Sequence, residues 1–253
     1  MLDSLPPVLL DTQMVRVAKV EGQVFYQDQL LLPGMDLPLQ PLLRFSQPSD
    51  FVIVFNHRQQ FQISRPDTLL QHVVFQALAL PQLARPGKIL NLAAFRQYLK
   101  GRKILALDEQ VSLEVGAEAF PLDSAHFFFI QYRLLPDTTE RIPKRLPYEE
   151  QKLLIILDSL AKVDGHAISI DSTEQHQLFY YDVGQQIIKE IGPIQLVFPD
   201  EVRMQGEVRI LLEYLGRFTP FQDKVDFVEY FLSISYGIPE PDNLLRWLKT
   251  NFE

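Results

Sequence analysis

The amino-acid sequence predicts an α+β protein, mostly antiparallel β, with a bundle of short helices at its C-terminal end. Short apolar runs of strand length recur from Val15 to Phe198, separated by turn residues. From Asp200 onward, the apolar residues instead recur at helical spacing. A chain of 253 residues has room for two or three small domains. We therefore predict a small β module (1–66), a mainly antiparallel β domain (67–198) and a C-terminal helical unit (199–253).

The first region reads as a small, strongly curved β module. Its strands are separated by turn residues such as Gly22, and a Pro-Gly step at Pro33 and Gly34 lies near the middle. The run Phe51–Phe55 is continuously apolar and rich in β-branched and aromatic residues, which predicts a strand covered on both faces. The predicted strands are Val15–Val20, Val24–Tyr26, Leu30–Leu32, Phe51–Phe55 and Phe61–Ile63.

The middle region is predicted to begin with helices and to continue as strands. A short helix is expected from Asp67 to Phe75, and a second from Leu92 to Leu99 with Asn91 as its N-cap. Tight turns between the later strands predict an antiparallel meander, because parallel neighbours need long crossovers. The predicted strands are Lys103–Leu107, Val111–Val115, His126–Leu134, Leu153–Leu157, Ala167–Ile170, Leu178–Tyr181, Gln186–Ile188 and Gln195–Phe198.

The aromatic run that begins at His126 attracts attention because a strand would divide it between two faces. Phe127 and Phe129 would lie on one face, and Phe128 and Ile130 on the other. We interpret it as a core strand buried on both faces. The alternative is a stacking platform for nucleic-acid bases, which the formal net charge of −8 disfavours.

The C-terminal region predicts three helices with apolar stripes. The first covers Asp200 to Arg217, and the second starts at Thr219 and Pro220, which are typical N-cap and N1 residues. The last covers Asp242 to Phe252. Its apolar residues are candidates for contact with a protein partner, and the alternative is that Trp247 packs on the β region. The predicted partner-binding residues are Leu244, Trp247, Leu248 and Phe252.

Residues 15–66 also resemble a known type of small β module. Val20-Glu21-Gly22-Gln23-Val24 matches the opening of FecR-type domains, and Leu32-Pro33-Gly34-Met35-Asp36-Leu37 matches their central turn. Leu42 to Phe45 then precedes the strand pair Phe51–Phe55 and Phe61–Ile63, a pattern that SH3-like barrels share. The resemblance implies a module for regulation or scaffolding, and it brings no catalytic residue with it.

Composition and motifs exclude several functional classes. The chain has no cysteine, which excludes disulfides and thiolate chemistry. Its eleven glycines form neither a dinucleotide-binding turn nor a phosphate-binding loop. The acidic balance makes nucleic acid an unexpected partner, and no apolar run is long enough to span a bilayer. A soluble, cytoplasmic protein without a cofactor is expected.

One polar cluster offers ligands for a metal ion. Asp164, His166, Asp171 and His176 lie within a short stretch, and imidazole with carboxylate can chelate a divalent cation or form a base and its orienting partner. The competing interpretation is a surface turn, because Asp164 precedes Gly165 between two predicted strands.

These patterns favour a non-enzymatic interaction or scaffold protein, a subunit or adaptor in a multiprotein assembly. Its expected partners are other proteins or further copies of the same chain. The alternative is a metal-dependent enzyme or metal-binding protein that uses the four Asp and His residues named above.

Overall fold

The computed structural model describes residues 14–56, 60–72, 76–77, 88–135, 141–170, 173–216 and 219–252. Within these ranges, mostly antiparallel sheets and five short helices confirm the predicted α+β class. Three of the helices lie in the C-terminal part of the chain, as predicted. No helix within these ranges is both long and apolar enough to cross a membrane.

The elements are numbered in chain order. The strands are β1 (Met14–Glu21), β2 (Val24–Tyr26), β3 (Gln29–Leu30), β4 (Asp36–Pro38), β5 (Leu42–Phe45), β6 (Phe51–Phe55), β7 (Phe61–Ser64), β8 (Leu70–His72), β9 (Gln76–Ala77), β10 (Lys103–Leu105), β11 (Gln110–Glu114), β12 (His126–Leu134), β13 (Ile142–Arg145), β14 (Tyr148–Glu149), β15 (Lys152–Ile156), β16 (Lys162–Val163), β17 (His166–Ala167), β18 (Thr173–Asp182), β19 (Ile187–Pro193), β20 (Gln195–Val197) and β21 (Ile238–Pro239). The helices are α1 (Leu92–Leu99), α2 (Leu157–Leu160), α3 (Glu201–Leu215), α4 (Phe221–Ser235) and α5 (Pro241–Phe252).

Contacts between Cα atoms group the chain into two compact units. The first unit comprises Met1–Pro81 and Val202–Phe231, and the second comprises Gln82–Glu201 and Leu232–Glu253. The predicted boundaries at residues 66 and 198 do not coincide with those of the units. The division into three domains stays a prediction, because grouping by contacts does not test which segments fold on their own.

Two antiparallel sheets form the β part of the first unit. One has the strand order β4-β1-β6-β7-β9 and the other β3-β2-β5-β8, and both contribute side chains to one apolar core. Val52 and Val54 of β6 point into that core. The ring of Phe55 lies 4.7 Å from that of Tyr214 and 6.0 Å from that of Phe227. Four of the five β6 residues are buried, which confirms that both faces of this strand are covered.

A turn of the first unit depends on glycine. Gly22 has a φ angle of +76°, a conformation that side chains with a Cβ atom rarely adopt. A Cβ atom at this position would lie 1.9 Å from Oδ1 of the buried Asp50. The other carboxylate oxygen, Asp50 Oδ2, accepts hydrogen bonds from the backbone N–H groups of Ser46 and Gln47, at 3.0 and 2.8 Å. The carboxylate is therefore held where only glycine leaves room for it.

The second unit contains a four-stranded antiparallel sheet with the order β13-β12-β18-β19. Strands β11, β15 and β14 form a second antiparallel sheet. Strand β10 pairs in parallel with both β20 and β21, which departs from the predicted meander. The chain from β10 to β20 is long enough for a crossover, so the parallel pairing obeys the usual rule for connections.

Helix α1 is attached to the edge of the four-stranded sheet. Asn91 Oδ1 accepts a hydrogen bond from the N–H of Ala94 at 2.8 Å, which confirms the predicted N-cap. Arg96 donates hydrogen bonds to the backbone carbonyls of Glu190 and Ile191 in β19, at 2.7 and 3.3 Å. The guanidinium of Arg96 thus occupies two backbone carbonyl acceptors of this edge strand.

Three local predictions were wrong. The predicted helix from Asp67 contains strand β8, since Leu70–His72 pairs with β5. The strand predicted to end at Leu157 stops at Ile156, and α2 begins at Leu157, because helix and strand cannot be told apart at the end of a short apolar run. Of the strand predicted for Ala167 to Ile170, only Ala167 lies in a strand, as the last residue of β17.

Candidate functional site

The apolar residues of α5 that were predicted to bind a partner lie mostly inside the second unit. Leu244, Trp247 and Leu248 are at most 2% exposed. Trp247 donates a hydrogen bond from Nε1 to Glu201 Oε1 at 3.1 Å, and the partly exposed Phe252 packs on the Trp247 ring. A partner could reach the three buried side chains only if α5 moved. Their role in partner binding stays a prediction.

The described metal candidates are not grouped in the structure. Asp164 and His166 are exposed at the turn between β16 and β17. His176 Nε2 lies 2.9 Å from the hydroxyl of Thr173, which donates its own proton to Ile170 O. Burial lowers the pKa of His176, which favours the neutral imidazole. Asp171 lies outside the described residues. Among the residues that the structure describes, no three His, Asp or Glu side chains form a metal-binding group.

A small polar pocket adjoins the buried pair Tyr98 and Glu240. The pocket has a volume of about 200 Å³. Its lysine side chains are ion-paired, since Lys88 lies 3.6 Å from Glu114 and Lys152 lies 3.9 Å from Asp242. These pairs balance the lysine charges within the wall of the pocket, so the arrangement reads as structural.

The most distinctive surface is the outer face of the sheet β13-β12-β18-β19. On its inner face, Phe128, Ile130 and Tyr132 of β12 are fully buried. On the outer face, Phe127 and Phe129 are only partly buried. The prediction of a strand buried on both faces was therefore wrong for the outer one. No other described strand places two phenylalanines on a partly exposed face in this way.

The register between β12 and β18 extends this outer face. Phe127 lies opposite Tyr181, and Phe129 lies opposite Phe179. The rings of Phe129 and Phe179 are stacked, with centroids 5.0 Å apart and an interplanar angle of 11°. The rings of Phe127 and Tyr181 meet edge to face at 5.5 Å. Four aromatic side chains thus form one block, which we call the aromatic face.

Residues of the two outer strands complete the aromatic face. On one side, the guanidinium of the exposed Arg145 lies 4.0 Å from the centroid of the Phe127 ring. On the other side, Ile188 is paired with Tyr181 and is 59% exposed. Glu190 Oε1 accepts a hydrogen bond from Gln177 at 2.7 Å, which places its carboxylate on the same face. An apolar centre is therefore flanked by a cation on one side and a carboxylate on the other.

Most of the aromatic face could not be identified from the sequence. Alternation places Phe127 and Phe129 together, and that part of the prediction is confirmed. Phe179 and Tyr181 join them only through strand pairing between segments about fifty residues apart, which no local pattern specifies. Ile188 then follows through its pairing with Tyr181 in the neighbouring strand. The available signal is the adjacent pair Tyr180 and Tyr181, because alternation along a strand places one of the two rings on each face. Tyr180 is 2% exposed and Tyr181 is partly exposed, which confirms this.

The first unit carries a smaller apolar surface on its sheet β3-β2-β5-β8. Leu30, Phe25, Arg44 and Leu70 form one cross-strand row, in which Leu30 is 45% and Leu70 59% exposed. The guanidinium of Arg44 covers the ring of Phe25, with a distance of 4.2 Å to its centroid. Leu30, Phe25 and Arg44 lie within residues 15–66, whereas Leu70 lies beyond them.

Comparison of the chain with models of protein families, with curated proteins and with solved structures finds no match.

Proposed function

We propose that this chain is a non-catalytic interaction or scaffold protein that binds protein partners through the aromatic face. It would act as a subunit or adaptor in a multiprotein assembly. The proposed compartment is the cytoplasm, on the basis of composition alone. The resemblance of residues 15–66 to FecR-type and SH3-like modules remains part of this proposal and supports the same class of function.

The single observation that carries the proposal is the block of four partly exposed rings on one sheet face. Aromatic residues and arginine are enriched among the interface residues that contribute most of the binding free energy. Arg145 lies on this block. The four rings of the aromatic face are already ordered by contact within their two pairs, so their side chains lose little conformational entropy on binding. A partner would thus meet a prearranged surface.

The test uses two neighbouring isoleucines of the edge strand β19. Ile188 lies on the aromatic face, while the adjacent Ile187 points to the other side, and both are exposed. Tagged wild-type chain, the double variant Phe129→Gln/Ile188→Gln and the control variant Ile187→Gln would be expressed in the native host. Proteins that copurify after mild crosslinking would be quantified by mass spectrometry, and a differently tagged copy of the chain would be included.

The double variant is expected to lose its specific partners by at least about tenfold, which corresponds to roughly 1.4 kcal/mol of binding free energy. The Ile187→Gln control is expected to capture them as the wild type does. Thermal unfolding of both purified variants would confirm that they are folded. Equal capture by the folded double variant and by the control would refute the proposed role of the aromatic face.

A further inference from the structure

The aromatic face carries opposite charges at its two edges. One cross-strand row consists of Arg145, Phe129, Phe179 and Glu190, in that order across the four strands. Neighbouring strands are about 4.8 Å apart, so the two charged residues lie about 14 Å from each other across the face. The row reads cation, ring, ring, carboxylate. If the same row is read from its other end, a carboxylate stands at the position where the first reading has the cation.

Two further rows are also complementary to themselves when their order is reversed. Pro143, Gln131, Gln177 and Pro193 form a row whose residue types read the same in both directions. Beyond it, Arg133 of β12 pairs with Glu174 of β18, which again places the cation toward β13 and the carboxylate toward β19. Tyr132 and Leu134 face the core, so Arg133 between them lies on the outer side. Two charged rows therefore share one polarity, and the row between them is symmetric.

A two-fold rotation makes such a face complementary to itself. An axis that runs parallel to the strands, between β12 and β18, exchanges the two edges of the face when one copy turns over onto another. Arg145 of one copy then faces Glu190 of the other, and this contact occurs twice. The same rotation places Phe129 against Phe179 and Gln131 against Gln177. The amides of the two glutamines can each donate and accept a hydrogen bond in that position.

We infer that the partner of the aromatic face is a second copy of this chain, packed face to face about a two-fold axis parallel to β12 and β18. This inference rests on the proposed function and names its partner. The charge polarity selects this partner, because a surface of a single sign would repel its own copy, whereas this one attracts it in one orientation. The charge polarity also distinguishes the proposed axis from one perpendicular to the strands, because that axis would place Arg145 of one copy against Arg145 of the other.

The test exchanges the charges at the two edges. The variants are Arg145→Glu, Glu190→Arg and the double exchange Arg145→Glu/Glu190→Arg. The control is Lys189→Glu, which changes the net charge as Arg145→Glu does but lies next to Glu190 on the opposite side of β19. Sedimentation velocity over a hundredfold range of concentration would give the dimer fraction of each purified full-length chain, and circular dichroism would confirm folding.

The wild type and the Lys189→Glu control are expected to dimerise. Each of the two edge variants is expected to dimerise at least about tenfold more weakly, because like charges then meet at both contacts. Mixing the two should restore the dimer as a heterodimer, since one chain then carries only carboxylates at its edges and the other only guanidiniums. The double exchange should restore the homodimer within a single chain.

A wild type that stays monomeric at every concentration overturns the inference, as does a mixture of the two edge variants that shows no heterodimer. If the wild type is monomeric but captures another protein through the aromatic face, the inference fails and the proposed function stands. If it neither dimerises nor captures a partner through this face, both fail.

Discussion

The phenol of Tyr98 donates a hydrogen bond to the carboxylate of Glu240, and the two side chains are only 7% and 9% exposed. Tyr98 lies in α1, whereas Glu240 precedes α5 by one residue. Burial, together with the adjacent Glu240 carboxylate, raises the pKa of Tyr98, so the phenol keeps the proton that it donates. This pair joins segments of the second unit that are far apart in sequence.

Replacing Tyr98 with phenylalanine removes one donor to a buried carboxylate. We expect the variant Tyr98→Phe to lose about 1–3 kcal/mol of unfolding free energy, the usual cost of removing one hydrogen-bond partner from a buried polar group. Urea unfolding would measure it. The control is Tyr181→Phe, on the partly exposed aromatic face, which should change stability by less than about 0.5 kcal/mol. Equal effects of the two substitutions would contradict this assignment.

Tyr180 predicts a loss of stability at alkaline pH. Burial, followed by the charges of Asp182 and Asp123, raises its pKa from 10.0 to about 12. Because the unfolded chain releases this proton at lower pH than the folded chain, ionisation favours unfolding between the two values. The stabilising contribution is complete below pH 10 and is lost as the pH rises through 12.

The variant Tyr180→Phe has no proton to release at this position. The difference in unfolding free energy between wild type and variant should therefore be constant below pH 10 and should decline above it. Urea titrations at stepped pH would give this difference. A difference that stays constant from pH 10 to 12 would show that the fold does not perturb Tyr180 in this way.

Two glycines with similar backbone angles separate the effect of strain from that of a clash. Gly22 and Gly101 have φ angles of +76° and +67°, and alanine in this region costs about 1–2 kcal/mol. A Cβ atom at Gly101 meets nothing within 4 Å, whereas one at Gly22 meets Asp50. We expect Gly22→Ala to be more destabilising than Gly101→Ala by about a further 1–3 kcal/mol, through the displaced Asp50 carboxylate. Thermal and urea unfolding of both variants would test the order.

Trp247 distinguishes the two interpretations of α5. If the side chain is part of the core, Trp247→Ala should cost about 3–5 kcal/mol, because it empties a large buried volume and removes the hydrogen bond to Glu201. Phe252→Ala, at a partly exposed position of the same helix, should cost less. If Trp247→Ala left the stability unchanged and abolished partner binding, Trp247 would instead be a docking residue.

Local patterns predicted the elements better than their pairing. The N-cap at Asn91 and the two-sided coverage of Phe51–Phe55 follow from residue types next to each other in sequence, and both are confirmed. The aromatic face depends on the register of β12 with β18. That register shifts near Gln175, whose backbone φ angle of +55° is uncommon for a residue other than glycine. Gln175 gives no signal for such a shift.

The hydrogen bonds from Arg96 to the carbonyls of Glu190 and Ile191 have a consequence for how copies of this chain can associate. An uncovered edge strand can template the addition of another strand, and repeated addition leads to open-ended growth and aggregation. At β19 the guanidinium already occupies two of the acceptors that an incoming strand would need. A strand added at this edge would have to displace the Arg96 side chain and α1, the helix that carries it. Growth of the sheet at its β19 edge is thus hindered, while the face of the sheet remains accessible.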